Sequence, residues 1–354
     1  MSHPTITQGL NIAAIRGHQG SRTMYQVLVE NSVLNNFFTV NMDPPAEKSQ
    51  RQMDPKHAAA ISDYILENPD EYVLGAMIYA VDQECPFTES EIDPRLGVLT
   101  IPFGTNLRSL DGQHRRQGLN DAIAQDPQLS SDHTAVLVYV EPEVDKRRQM
   151  FSDMNATPKI VAKALNVAFD QRDPFARAAM ELAQTHPILV GKVELAARQV
   201  NATSQNRYTV GSIYDALKRL QVGPTGRVRK ASQYLDDDIK ARGQAFFDLI
   251  ADARKEIADI GSGVDIVQLR SHTILFSSTT LRALSGAVKE AMDALGVSTI
   301  PAEFTARLAT LDLSPSAAQW RVVGFVSPGK STPNARNQEV LAATTTIKEH
   351  LISA

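Results

Sequence analysis

One cysteine, Cys85, occurs in 354 residues. A single thiol can form no intrachain disulfide and no multi-thiolate metal site, and a secreted protein would lack its usual covalent support. Beside a loop, such a residue reads as a small buried side chain. Long apolar runs are also missing, and none approaches the roughly 18 residues that a membrane span requires. The opening MSHPTITQGLN has no basic start followed by an apolar stretch, so the expected location is the cytoplasm, with no membrane partner. Charge of one sign is scarce as well. With 36 basic and 40 acidic residues the net charge is −4, which excludes a globally basic nucleic-acid coat but not a local patch. No serine triad, zinc box or Walker loop is evident, and no repeat of roughly 20 to 50 residues.

What is present suits a folded protein of one large or two ordinary domains, with 43% hydrophobic and 21% charged residues. LNIAAIR (Leu10 to Arg16) and TMYQVLVE (Thr23 to Glu30) flank the turn-forming GHQGSR and read as paired strands. DPKHAAAISDYILENP reads as a helix: Asp54 can cap it, Pro55 suits its first position, Ala58, Ile61 and Ile65 share a face, and Asn68-Pro69 stops it. VLGAMIYAV, LGVLTIP, LRSL and TAVLVYVEP are further strand signals. After about Val144 the strand signals fade and helical patterns take over, among them TVGSIYDALKRLQV, DDIKARGQAFFDLIADARKEIADI, HTILFSSTTLRALSGAVKEAMDAL and NQEVLAATTTIKEHLISA. The expectation is an α+β chain, with a mixed α/β domain over 1–155 and a helical domain over 156–354.

The densest chemistry lies in LRSLDGQHRRQGLNDAI, Leu107 to Ile123, where a strand meets a helix. If that helix starts at Asp111, this residue is its cap and the next backbone N–H groups lack intrahelical acceptors. Gly112 keeps no side chain between them and an anion, while Gln113 and His114 add donors in the same turn. Neighbouring helical residues point about 100° apart. Arg115, four and seven residues before Leu119 and Ala122, is expected to bend into the cleft, where it could hold a phosphate through two hydrogen bonds. Arg116 is expected to face away, toward solvent, another helix or a second polyanion. The plainer alternative is that Asp111 only caps, Arg115 only pairs with a carboxylate and His114 is an interior donor.

DGQHR, Asp111 to Arg115, resembles the signature of the DGQHR-domain proteins. QRQMDPKHAAAISDYILENPDEYV, QMFSDMNATPKIVAKALNVAFDQRD, HTILFSSTTLRALSGAV, and the late tryptophan followed by NQEVLAATTTIKEHL resemble, in order, segments of the DndB family. That resemblance covers nearly the whole chain. It implies a regulator of bacterial DNA phosphorothioation that binds double-stranded promoter DNA as a repressor. Other DNA-modification proteins and a homodimer are further implied partners, and the 7-deazaguanine pathway is an alternative setting. A more distant likeness to the ParB and sulfiredoxin superfamily implies a ParB-like mixed domain that binds ATP or CTP with magnesium and hydrolyses it. It matches Arg51 to a phosphate-binding arginine and places Asp153 and Asn155 at the metal edge, with the hard oxygens magnesium prefers. Gln113 stands where sulfiredoxin has its reactive cysteine, and an amide cannot act as a thiolate nucleophile.

Two basic runs are candidate DNA contacts. Lys146, Arg147 and Arg148 fall on a helix and cover most of its circumference, so at least one is expected to meet a polyanion; the alternative is a solvated face. Arg227, Arg229 and Lys230 follow Gly223, Pro224 and Gly226 in a loop that can mould itself to a backbone. Asp236, Asp237 and Asp238 read as a helix start.

Overall fold

A computed structural model of the chain describes residues 9–38, 54–156, 162–258 and 265–353. Arg51 lies outside the described residues, as does the side chain of Asn155. The chain separates into two compact units, Met1–Lys159 and Ile160–Ala354. The architecture is α+β, with one mixed seven-stranded sheet and many helices.

The first unit contains β1 (Gly9–Gln19), β2 (Arg22–Glu30), α1 (Asn31–Phe37), α2 (Pro55–Glu67), β3 (Met77–Val81), β4 (Phe87–Glu89), β5 (Leu96–Pro102), β6 (Leu107–Asp111), α3 (Gln113–Ile123), β7 (His133–Val140) and α4 (Val144–Ala156). The sheet order is β4-β5-β1-β2-β7-β3-β6. All neighbours are antiparallel except β3 and β7. The two-residue period of the strands decides which side chains face which layer. Met77, Tyr79 and Val81 of β3, with Val136, Val138 and Val140 of β7, join Ile65 of α2 and Leu119 and Ala122 of α3 in one core. The alternate residues Ile78, Ala80, Leu137 and Tyr139 meet Met150, Phe151 and Met154 of α4 on the opposite face.

Helix α2 has the expected start: Asp54 accepts from the Lys56 N–H, and Pro55 is its first residue. Its buried residues Ala58, Ser62 and Ile65 recur every three or four positions. Gly118 lets α3 approach closely, since a Cβ there would lie 2.7 Å from both the Ala58 carbonyl oxygen and Ile61. Cys85 is buried, which pushes its thiol up to about 11.

The second unit comprises α5 (Lys163–Phe169), α6 (Pro174–Thr185), β8 (Val193–Glu194), β9 (Tyr208–Thr209), α7 (Val210–Val222), α8 (Asp236–Ala253), α9 (Lys255–Ala258), α10 (Ile266–His272), α11 (Ser278–Leu295), α12 (Glu303–Thr310), α13 (Ala318–Val322) and α14 (Asn337–Ile352). Helix α11 is buried around much of its circumference, from Thr280 and Leu281 through Ala287 and Met292, as befits a helix inside a bundle. Two expected helices are shorter than the apolar pattern suggests. The run from Asp236 breaks at Arg254, whose backbone leaves the helical region and whose guanidinium donates to the Leu311 carbonyl. TILF, Thr273 to Phe276, is not helical: Ser277 caps α11, and the Ile274 N–H donates to the Leu313 carbonyl oxygen instead. Asp236, Asp237 and Asp238 form the first turn of α8.

Candidate functional site

The junction turns through Gly112, whose φ of +96° belongs to the left-handed region. Glycine enters that region without the side-chain penalty of other residues. A Cβ at this point would also come within 2.9 Å of Met77 Cγ. The helix therefore starts at Gln113 with Gly112 in the cap position, which corrects the expectation that Asp111 is the cap. Asp111 ends β6 and folds its carboxylate over the turn. Its Oδ1 accepts from the Gly112 N–H at 2.7 Å and its Oδ2 from Arg115 at 2.6 Å.

His114 joins this turn to the start of α2. The Asp54 N–H donates to His114 Nε2 at 2.9 Å, and the His114 ring stacks on His57 at 4.9 Å with 15° between planes. In this bond His114 Nε2 is the acceptor, so the ring serves as an anchor for the start of α2. The starts of α2 and α3 thus lie together, with Lys56, His57, His114 and Arg115 around them. Half-buried Gln113 is the first helical residue. Sequence reasoning missed His57 and also Gly75, where a Cβ would lie 2.7 Å from Arg115 Nη1. The DPKH stretch marks a helix start, but nothing local in it announces a partner at residue 114.

The two arginines reverse one expectation. Arg115 is a quarter exposed and pairs with Asp111, beside Gly75. Arg116 is 7% exposed rather than turned to solvent, and of its expected partners it meets another helix, donating to the Asn35 carbonyl of α1 at 3.3 Å. The inner stripe of α3 is wide enough to include the position three residues before Leu119 as well as the one four before it. Burial pushes the Tyr79 hydroxyl up to about 12, with the Arg116 charge opposing. As a DNA contact Arg116 is excluded by its burial.

Helix α4 corrects a second expectation. Arg147 is 2% exposed and donates to the Glu141 carbonyl, so it does not face a polyanion. Lys146 pairs with Glu143 and Arg148 with Asp145, each three residues away on the surface. Glu143 holds the Lys146 ammonium above its ordinary range. Asp153 is exposed and accepts from Gln149 at 2.6 Å. Among the described residues there is no group of three His, Cys, Asp or Glu side chains that could hold a metal ion.

The loop after α7 differs. Arg227, Arg229 and Lys230 are exposed, and no side-chain hydrogen bond or ion pair engages them among the described residues. The base of the loop is anchored, since Arg219 donates to the Pro224 carbonyl and Pro224 lies against Gly286 of α11. A fixed base thus carries three available cations.

Fold and geometry together define a two-unit α+β protein with paired helix starts in one unit and an unneutralised basic loop in the other. The chain belongs to the DndB family, described as DNA-sulfur modification-associated, whose family model matches residues 12–353. No curated protein and no solved structure matches it. No helix among the described residues is long and apolar enough to cross a membrane.

Proposed function

We propose that this protein is a DNA-binding regulator, acting as a repressor, of a gene cluster for DNA phosphorothioate modification, with double-stranded promoter DNA as its partner. Family membership supports the pathway. The observation that carries DNA binding is the anchored loop with exposed, unengaged Arg227, Arg229 and Lys230. Each phosphate neutralised by such a cation releases counterions, so three contacts contribute about 2.7 to the slope of log affinity against log salt. The test is a titration of labelled promoter duplex at two ionic strengths. Affinity falls steeply with salt if the reading is right; a flat response overturns it.

A second reading, nucleoside triphosphate hydrolysis at Asp111–Arg115, is favoured by the meeting of two helix starts. Their dipoles both favour an anion, and His114 and Arg115 lie in the same turn. Their part would be to bind and orient the phosphates of ATP or CTP, with no step assigned to a metal. Loss of phosphate release above background in a folded Arg115→Ala protein supports this reading, and unchanged release removes it.

A further inference from the structure

The second unit holds a cavity of about 620 Å³ that neither reading uses. Its wall is chemically one-sided. Arg198 and Arg270 line it, with hydroxyls from Ser277, Ser278, Thr279, Ser331 and others, and no Asp or Glu is among its lining residues. Carboxylates are plentiful in this chain as a whole, with 40 Asp and Glu, so their absence from the lining leaves the local charge positive.

Two helix starts open onto the same space. Thr209, the cap of α7, and Ser277, the cap of α11, both line it. In each case the cap oxygen accepts one backbone N–H, from Ser212 and Thr279 respectively. The remaining first-turn N–H groups and the aligned dipoles favour an anion there. The carboxyl end of α10 borders the cavity too, but Arg270 in its last turn offsets it.

The two arginines have separate tasks. Arg270 donates to the carbonyls of Asn201, Ala202, Ser204 and Asn206, which fixes the 201–206 loop and uses four of its five N–H groups. Carbonyls do not cancel its charge, so it supplies field rather than grip. Arg198 is exposed, and its side chain makes no hydrogen bond or ion pair among the described residues. Its planar fork is therefore available for a bidentate hold on a phosphate. Val200, Val267, Ile274 and Phe276 also line the cavity, an apolar surface that an inorganic ion would leave uncovered.

We propose that this cavity binds a small phosphorylated ligand of mononucleotide size, with its phosphate at the start of α11 against Arg198 and its planar body on Phe276 and Ile274. The volume lies within the range of roughly 300–1,000 Å³ usual for small-molecule sites and far exceeds a phosphate ion. A duplex is too wide to bring its backbone phosphates down to the buried Ile274 and Phe276.

Calorimetric titration of the full chain with the four ribonucleoside monophosphates, the matching nucleosides and inorganic phosphate tests this. At least one monophosphate is expected to bind, at least tenfold more tightly than its nucleoside and than inorganic phosphate. Arg198→Glu should weaken it at least tenfold without moving the thermal midpoint, since the side chain is exposed. Ser331→Trp, at the exposed rim, should obstruct the cavity. The proposal is overturned if no monophosphate binds at millimolar concentration, if nucleoside or inorganic phosphate binds equally well, or if binding survives both cavity substitutions. Loss of binding in Arg115→Ala alone would assign the ligand to the first unit and equally overturn it.

Discussion

The cations that stand out in the sequence fare differently in the two units. In the first, the sequence crowds cations at residues 115–116 and 146–148, yet the fold engages them: Arg115 with Asp111, Arg116 with Asn35, Arg147 with Glu141, Lys146 with Glu143, Arg148 with Asp145. In the second, Arg198, Arg227, Arg229 and Lys230 stand without side-chain partners among the described residues. The lesson is that the number of cations in a segment says little about how many can meet a ligand. Availability depends on whether a carboxylate or carbonyl comes within reach: for Arg115, Lys146, Arg147 and Arg148 the partner lies within six residues in the chain, and only Arg116 finds a distant one.

Substitutions can break or sharpen this contrast. The largest effect is expected at Gly112. Gly112→Ala places a side chain in the left-handed region, at about 1–2 kcal/mol, and against Met77, at about 1–3 kcal/mol more. Chemical denaturation should show a loss of about 2–5 kcal/mol. Gly296→Ala in the second unit shares the left-handed conformation, with φ +67°, but meets nothing within 4 Å, so about 1–2 kcal/mol is expected. Equal losses would mean that the Met77 contact contributes nothing.

Next is the joint change Arg227→Ala, Arg229→Ala and Lys230→Ala. Promoter affinity should fall about 10- to 100-fold, and the salt slope by about 2.7, with folding unchanged in thermal unfolding. Lys146→Ala with Arg148→Ala, by contrast, should alter affinity less than about twofold, because exposed ion pairs already balance both charges. A larger drop for the α4 pair than for the loop would reverse the comparison.

A pH effect belongs to the second unit. His186 is 1% exposed, and burial holds its imidazole below the ordinary range, with Asp248 opposing. The unfolded chain then binds the proton first, near its usual value of about 6.5. Stability is complete above that pH and declines as pH falls through it toward the lower folded value. Thermal midpoints between pH 7.5 and about 5 should reveal this decline, and His186→Gln should flatten it. The smallest effect is expected for Asp111→Asn, which weakens an exposed pair at a cost of about 1 kcal/mol or less and leaves Arg115 without its carboxylate.

Much of this was readable from local pattern. Asp54 and Pro55 announced the start of α2, Thr209 that of α7, and alternating residues the strands β1, β2 and β7. Short elements were not: α1 depends on buried Asn31, whose amide donates to the Leu129 carbonyl and whose oxygen accepts from Thr134. β4, α12 and α13 are likewise brief enough that neighbours, rather than period, hold them.

By itself the sequence determined which stretches carry helix starts, where glycine had to stand in the DGQHR turn, and the absence of disulfide chemistry, because caps, backbone permissiveness and thiol number are properties of the local chain. Tertiary structure alone decided that His114 meets Asp54 and His57, that Arg116 and Arg147 are buried, and that a carboxylate-free cavity lies between the starts of α7 and α11. Apart from the bond of Arg147 to Glu141, six residues away, these contacts join residues tens of positions apart, and only the closure of a packed core brings them together.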